Sequence, residues 1–447
     1  MARLREVQVE AADAQQYHAL PNDKARSTVF EVLALVAVAF VSGLANGYNG
    51  TVLEGTTPRL RSVSIITSTW QSGCLGGMLS VGGLVGSLAC ADLAYRISRR
   101  SMVIVGETII IVSVLVFALA PSFEFILLGR AGTGFGVGIC GLAKPLIVSE
   151  LSPPHQRGLL VSLFAVGQSV GLNIFYVTDW LMPTPEAVPW VWRLLVAFGA
   201  LPAVCVVGFA FITPGTPYWD VPPSHSHSGG KDDAFSLLRE MIEEPWPIRR
   251  NFYLVLALML GYNLSGTLII SNYAGDVFAA IGAGDRALPI FIGVVQFLGL
   301  VSAALAMDSF GRKPLLLLSC TLTAVCLFAI SIVLTYQQPV AAAVGDGATT
   351  TLLLVCMVAV EYAVGAGLNP IRIVLSAELM PNRYRSLGMS LGNAVGWGLA
   401  LISLFLFPIL SALANGPAPQ FAFFGAVVAL LAVLLFFQLP ETNGISF

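Results

Sequence analysis

Glu150-Leu151-Ser152-Pro153-Pro154-His155-Gln156-Arg157 and Glu378-Leu379-Met380-Pro381-Asn382-Arg383-Tyr384-Arg385 are two copies of one pattern, 228 residues apart (150 to 378) in a chain of 447. In both copies Glu to Pro is three residues and Glu to Arg is seven. A second echo pairs Arg99-Arg100 with Arg312-Lys313, each pair following the second apolar run of its half. A repeat displaced by half the chain length predicts two homologous halves in the same chain direction.

Working outward, each half holds six apolar runs. They fall near 29–50, 68–92, 101–121, 125–149, 157–180 and 190–213, then near 251–279, 288–309, 314–336, 350–376, 386–412 and 419–439. About 20 apolar residues suffice to cross a bilayer as a helix. The runs are continuous rather than alternating, which predicts helices and not the strands of a membrane barrel. The composition agrees: 56% of residues are hydrophobic and 11% are charged, against about 25% charged in soluble domains. Mean hydropathy is +0.82. A water-soluble enzyme is excluded, and a net charge of −2 excludes a broadly basic nucleic-acid binder. The 44 glycines suit close packing of membrane helices. The expected fold is an all-α membrane protein of twelve transmembrane helices in two pseudo-symmetric six-helix halves, 29–213 and 251–439.

The remaining segments are short. Residues 1–28 are polar and carry no cleavable secretory signal, so the first apolar run serves as the targeting signal. The segment 214–250 is the one extended hydrophilic stretch and reads as a linker. It contains the low-complexity piece Pro222 to Gly230, and Asp232 to Glu244 predicts a short amphipathic helix with Phe235, Leu237, Leu238 and Met241 on one side. His225 and His227 lie in that piece and read as a solvated turn rather than a metal site. The seven cysteines, 74, 90, 140, 205, 320, 326 and 356, all fall in apolar runs and read as buried thiols with no disulfide framework. With a cytoplasmic N-terminus, sixteen of the twenty-three Lys and Arg residues fall in cytoplasmic segments. Arg59, Arg61, Arg193 and Arg286 fall in outer loops, and Arg130, Lys144 and Arg372 within helices. This bias places both termini, including the tail 440–447, in the cytosol.

On its ordered motifs the sequence resembles the major facilitator superfamily, specifically the sugar porters and their facilitative glucose transporters. Gly47-Tyr48-Asn49 is similar to the GYN element of the first span, and Ser80 to Ser87 to the SVGGxxGS of the second. Gly129-Arg130, the glycines at 132, 134, 136 and 138, and Glu150 to Gly158 resemble the signature joining spans four and five. Asp308-Ser309-Phe310-Gly311-Arg312-Lys313 and Pro440-Glu441-Thr442-Asn443-Gly444 complete the set. The resemblance implies a major-facilitator fold, a plasma-membrane location, a monomeric functional unit and alternating access of a small solute. It also implies a gating network of Arg99, Arg100, Arg130, Glu150, Arg157, Asp308, Arg312, Lys313, Glu378 and Arg385 that latches the halves; the bland alternative is interfacial anchoring. Parts of that network depart from the family. Ser98 stands where the family has glycine, Tyr95 where it has an acid or amide, and Pro214-Gly215-Thr216-Pro217-Tyr218 replaces PESPR.

Sugar recognition needs neutral donors and acceptors for each buried hydroxyl. The family's QQxSGxN of the seventh span appears as Tyr262-Asn263-Leu264-Ser265-Gly266-Thr267-Leu268, followed by Asn272 and Tyr273. In the fifth span the family glutamine position falls at Ala165, with Gln168 one turn on, and in the tenth its tryptophan position falls at Ile373. The expected contacts are therefore Gln168, Asn263, Ser265, Thr267, Asn272 and Tyr273. Lys144 and Arg372 join them as a pseudo-symmetric pair, each six residues before the repeated Glu and next to Pro145 or Pro370. A cation within a span costs about 2.5–3.5 kcal/mol on insertion scales, so it faces a cavity or a partner. An anionic group on the substrate is one partner; Glu361 for Arg372, or the cytosol for Lys144, is the other.

Proton-linked sugar porters carry Asp in the first span where this chain has Asn49, which implies a uniporter. Glu54 and Asp179 are expected near solvated outer helix ends. Asn49-Gly50-Thr51 and Asn263-Leu264-Ser265 match the glycosylation sequon but fall at or within helices. The functional expectation is a carrier for a hexose or related sugar or polyol, with an organic-anion carrier (carboxylate or urate-like) on the same scaffold as the alternative. A nutrient sensor is disfavoured by the short tail after Gly444. No span holds catalytic or metal-spaced residues or a dinucleotide loop, so no enzyme, metal or cofactor is implied. The partners are a small-molecule substrate and the lipid bilayer, with no nucleic acid.

Overall fold

The computed structural model describes residues 29–151, 157–183, 188, 190–212, 234–273, 287–336, 345–381, 384–414 and 416–439. The segment 1–28, the Pro/His/Ser stretch of the linker, Arg286 and the tail 440–447 lie outside them. Described residues are helical, with no strand. In the first half, α1 is Val29–Ser62, α2 Thr69–Arg96, α3 Arg99–Ala118, α4 Phe123–Leu151 and α5 Arg157–Leu181. The sixth span is two pieces, α6 (Val191–Phe198) and α7 (Ala200–Ile212). The linker helix α8 is Ala234–Glu243. The second half holds α9 (Trp246–Asn263), α10 (Thr267–Asn272), α11 (Leu288–Phe310), α12 (Arg312–Thr335), α13 (Asp346–Ala363), α14 (Asn369–Leu379), α15 (Arg385–Leu413) and α16 (Ala418–Gln438). A π-helical turn, Val364–Leu368, joins α13 to α14.

Among the described residues ten helices are long and apolar enough to cross a membrane. The two expected spans outside that set are α5, which carries Gln168, Ser169, Asn173 and Asp179, and the interrupted α9–α10. Both turn polar side chains, Gln168 and Ser169 on α5 and Asn263 and Asn272 on α9–α10, toward the interior. Elsewhere large apolar side chains such as Leu128, Leu305, Val325 and Leu430 are exposed, as a lipid-facing surface requires.

Small residues set the distance between helices. A Cβ at Gly47 would sit 1.8 Å from the Gln168 carbonyl oxygen, and one at Gly134 would sit 1.9 Å from that of Leu79. The backbones of α1 and α5, and of α2 and α4, therefore touch directly. The glycines of the Gly132–Gly138 ladder are packing residues.

Three departures from regular helix have local causes. Gly266 takes φ 80°, a conformation other residues rarely adopt. It ends α9 so that α10 starts in a new direction. The Ser265 hydroxyl secures that break by donating to the Tyr262 carbonyl at 2.7 Å and to Thr267 Oγ1 at 3.1 Å. Pro370 at the start of α14 cannot donate to the preceding turn, and the π turn absorbs the mismatch. Ser319 braces it, donating to the Ala363 carbonyl at 2.6 Å and accepting from the Leu368 amide at 3.0 Å. Between α6 and α7, Asn49 donates to the Gly199 carbonyl at 3.0 Å as well as to Ala45 within α1.

The first span is longer than expected. Helix α1 continues past Gly50 to Ser62, taking Arg59 and Arg61 out of the predicted loop. Arg59 is buried and pairs with Asp179 of α5, while donating to the Gly55 and Pro183 carbonyls. Asp179 is thus a structural partner and not a solvated helix end. Arg193 likewise lies inside α6, stacked on Trp192 at 4.5 Å and donating to the Ala118 carbonyl. Cations placed in loops by counting are here helix-to-helix fasteners.

Candidate functional site

A cavity of about 200 Å³ lies between the two halves. Its polar lining is dominated by amides from six helices: Asn46 of α1, Gln168 of α5, Asn263 of α9, Asn272 of α10, Gln296 of α11 and Asn393 of α15, with Asn369 of α14 beside them. Trp397 of α15 and Tyr262 of α9 supply aromatic surface, and Arg130 and Arg372 are the lining cations. Among the described residues no Asp or Glu lines it. An amide both donates and accepts, as a hydroxyl does, so this lining is matched to a polyhydroxylated solute. Trp397 Nε1, Asn46 Oδ1, Ser80 Oγ, Ser169 Oγ and Arg372 Nε have no hydrogen-bond partner among the described protein atoms. A buried polar atom left unmatched costs about 1–3 kcal/mol, which favours a polar solute in contact with them.

One end of the cavity is closed by contacts across the halves. Trp70 of α2 meets Phe405 of α15 edge to face at 4.9 Å. A Cβ at Gly76 would lie 2.7 Å from the Tyr273 hydroxyl, and one at Gly73 would lie 2.9 Å from the Phe405 carbonyl oxygen. Tyr176 of α5 donates to the Ser271 carbonyl of α10 at 3.0 Å. Deeper in, Asn393 donates to Ser87 at 2.9 Å, again joining α15 to α2.

Five of the eight expected substrate contacts line the cavity: Gln168, Asn263, Thr267, Asn272 and Arg372. Ala165 and Ile373, the positions where the family's glutamine and tryptophan were expected, line it too. Three are placed elsewhere. Ser265 is consumed by the helix break. Tyr273 donates its hydroxyl to the Leu404 carbonyl at 2.9 Å and belongs to the closed end. Lys144 faces away from the cavity, its Nζ 2.5 Å from Glu107 Oε1 of α3, both side chains fully buried. Glu107 is the partner that motif reading missed, because it belongs to no motif and lies on another span. Arg372 lies 3.9 Å over the Tyr262 ring and donates to Asn369 Oδ1 at 3.3 Å. Glu361 is not its partner; that carboxylate accepts from Gln296 Nε2 at 2.9 Å. Among the described residues no carboxylate pairs with Arg372.

The expected gating residues divide similarly. Arg312 and Glu378 approach to 3.7 Å, partly exposed. Arg100 donates to the Phe211 carbonyl, and Lys313 to the Phe436 carbonyl, each within its own half. Arg130 is buried against α1, donating to the carbonyls of Asn49 at 2.6 Å and Gly50 at 3.4 Å, and it borders the cavity. The side chains of Arg99, Glu150, Arg157 and Asp308 lie outside the described ones.

Missed cavity residues were legible in one respect. Asn393, Gly396, Trp397, Ala400 and Leu404 follow helical spacing along one face of α15, as Asn369, Arg372 and Ile373 do on α14. In an otherwise apolar span, such a stripe marks the interior.

Twelve helical spans in two related halves, enclosing a polar cavity between them, define a multi-pass membrane carrier of the major facilitator superfamily. A proton:xylose symporter bound to 6-bromo-6-deoxy-D-glucose shares the fold, with a TM-score of 0.77 over 93% of this chain and 97% of that one at 20% identity. The family model "Sugar (and other) transporter" matches residues 32–447, and the chain belongs to that family. Among its relatives, probable polyol transporter 4 of Arabidopsis thaliana is 28% identical, over 92% of this chain and 83% of the relative. The galactose-proton symporter of Escherichia coli (strain K12) is 24% identical, over 94% and 93%.

Proposed function

We propose that the chain carries a small sugar or polyol across a membrane by alternating access, with the substrate held in the amide-lined cavity. The observation that carries this reading is the lining itself. Seven amides and Trp397 surround a space with no acidic side chain on its wall among the described residues, and several of the polar atoms there are unmatched. Hydroxyls meet the amides, and the apolar face of a sugar ring meets the indole. Relatives named as polyol and galactose carriers support the substrate class. The closed Trp70–Phe405 end supports a mechanism in which access alternates between ends, with six-helix halves 29–213 and 251–439 as the moving units. The distribution of Lys and Arg supports cytosolic termini, and the family supports a plasma-membrane location and a monomeric unit.

Arg372 favours a second reading, a substrate bearing a carboxylate or a urate-like anion. Lys144 no longer supports it, since Glu107 neutralises that cation. Counterflow into liposomes containing the purified protein separates the two. D-xylose, D-glucose and sorbitol are expected to exchange, and competition by gluconate or urate tests the anion arm. Exchange of the anions without any of the three neutral compounds would overturn the first reading.

A further inference from the structure

Glu361 is a carboxylate in the middle of the tenth span, fully buried within the protein. Among the described residues its one polar contact is the Gln296 amide, which donates to Oε2, and Oε1 has no hydrogen-bond partner. Among the described residues no Lys, Arg or His lies within ion-pair distance of it. The groups around it on every packed helix are neutral or remote. On α11 the facing group is Gln296 itself. On α5 and α9 they are the hydroxyls of Tyr176 and Tyr262, which lie within its electrostatic reach. On α10 Tyr273 is engaged with Leu404, and on α12 the ionisable groups of the interior are the thiols Cys320 and Cys326. Glu361's own helix adds Cys356 and Tyr362, the latter bonded to Ser302. Arg372 is spent on Tyr262 and Asn369. Arg312 and Lys313 sit at the end of α12, where Arg312 meets Glu378, seventeen residues along from Glu361 or about 25 Å of helix.

An ionised carboxylate without a cation is very costly in such surroundings, whereas a neutral carboxylic acid there needs only hydrogen bonds. Gln296 connects this group to the substrate space, because its amide lines the cavity while holding Glu361. We propose that Glu361 is a proton-binding site coupled to substrate through Gln296, making this a proton-linked carrier. The inference rests on the carrier reading above and replaces the uniport expected from Asn49, which considered the first span alone. The step is one proton added to Oε1 of the carboxylate and later released, with no other bond changed. A solute hydroxyl that engages Gln296 alters the hydrogen bond Glu361 receives. Proton and substrate then change each other's affinity by the same factor.

The test uses the full chain in liposomes, with D-xylose and sorbitol as probes. In wild type, a one-unit pH gradient is expected to drive accumulation of the exchanged probe, up to about tenfold for one proton per solute. In Glu361→Gln accumulation falls to equilibration, while gradient-free counterflow continues at a measurable rate and reports a folded carrier. Counterflow without gradient-driven accumulation in wild type, or accumulation preserved in Glu361→Gln, overturns the proposal while leaving the carrier reading standing. Failure of counterflow for both probes strikes the carrier reading instead. A readout free of substrate then decides: the infrared carbonyl band of a protonated carboxylic acid in purified wild type at pH 7, absent from Glu361→Gln. No difference between the two spectra overturns the proposal.

Discussion

Lys144 and Arg372 occupy equivalent positions in the two repeats, each six residues before its Glu, and they end in opposite environments. Lys144 turns away from the cavity into α3 and meets Glu107 at 2.5 Å. Arg372 turns onto the Tyr262 ring and borders the cavity. The wider halves follow suit. In the first, Arg59 pairs with Asp179 and Arg130 is spent on the backbone of α1. In the second, the buried Glu361 and the half-buried Arg372 lie near the cavity with neutral partners. The second half also holds the break at Gly266 and the π turn at Val364–Leu368. One half neutralises its buried charges internally and serves as a scaffold. The other keeps charges whose partners a substrate or a proton alters.

The comparison breaks most visibly at the buried pair. Lys144→Met leaves the buried Glu107 without its cation, and Glu107→Gln leaves Lys144 without its carboxylate. Removing one member of a buried pair costs about 3–5 kcal/mol, whereas replacing both is often close to neutral. Each single variant is therefore expected to melt well below wild type in detergent, and Glu107→Gln with Lys144→Met to recover most of the loss. Additive losses in the double variant would show that the two side chains do not stabilise each other, and the scaffold role would fall.

A smaller effect, of a different kind, is expected at Arg372. The Tyr262 contact is worth about 0.5–2 kcal/mol, so Arg372→Gln should melt closer to wild type than Lys144→Met does. Its consequence belongs to the substrate. A hydrogen bond to a charged group contributes about 1.5–3 kcal/mol, and every 1.4 kcal/mol is tenfold in affinity. If Arg372 meets a substrate carboxylate, competition by gluconate against D-xylose weakens tenfold or more in Arg372→Gln. In Lys144→Gln, scored on whatever folded protein survives, the ratio should stay at its wild-type value. A shift of equal size in both variants would erase the distinction between the halves.

How much of this was legible follows from what lipid demands of a chain. Backbone groups cannot go unmatched in hydrocarbon, so most spans show as long apolar runs, and the described helices lie close to the expected runs except at α1; the far end of the seventh run, 274–279, lies outside the described residues. In α1 the polar residues Thr51, Glu54 and Thr56 interrupt the apolar pattern. Thr51 and Thr56 are buried inside the protein, each donating to its own helix, and polarity that faces protein does not end a span. The repeat identified Lys144 and Arg372 as equivalent cations within spans that need a cavity or a partner, because a cation in a span is costly wherever it points. Their partners were not legible, since Glu107 is 37 residues before Lys144 (107 to 144) and Tyr262 lies in the seventh span whereas Arg372 lies in the tenth. The helix breaks depend on such distant support as well: Ser319 of α12 braces a turn that begins at Val364. Local pattern carries the membrane topology, whereas the site is assembled from helices that only tertiary packing brings together.

The smallest expected effect lies at the expected latch. Arg312 and Glu378 approach to 3.7 Å, with side chains 12% and 30% exposed, and both belong to the second half. A partly exposed pair of this kind is worth about 0–1 kcal/mol, which bounds any change in the balance of open and closed ends at about fivefold. Lying within one half, the pair holds nothing shut by itself. It acts on gating only if the other half engages the same charges. Arg312→Gln should therefore leave the melting temperature almost unchanged. The labelling rate of a cysteine introduced at Leu79, on the cavity wall, should shift by fivefold or less. The swap of Arg312→Glu with Glu378→Arg separates the two roles. A pair that only fastens α12 to α14 tolerates the swap and returns the labelling rate to wild type. Charges engaged by the opposite half lose those partners in the swap, and the rate stays altered. A shift well beyond fivefold in Arg312→Gln alone would place a gate in the second half that this pair does not account for.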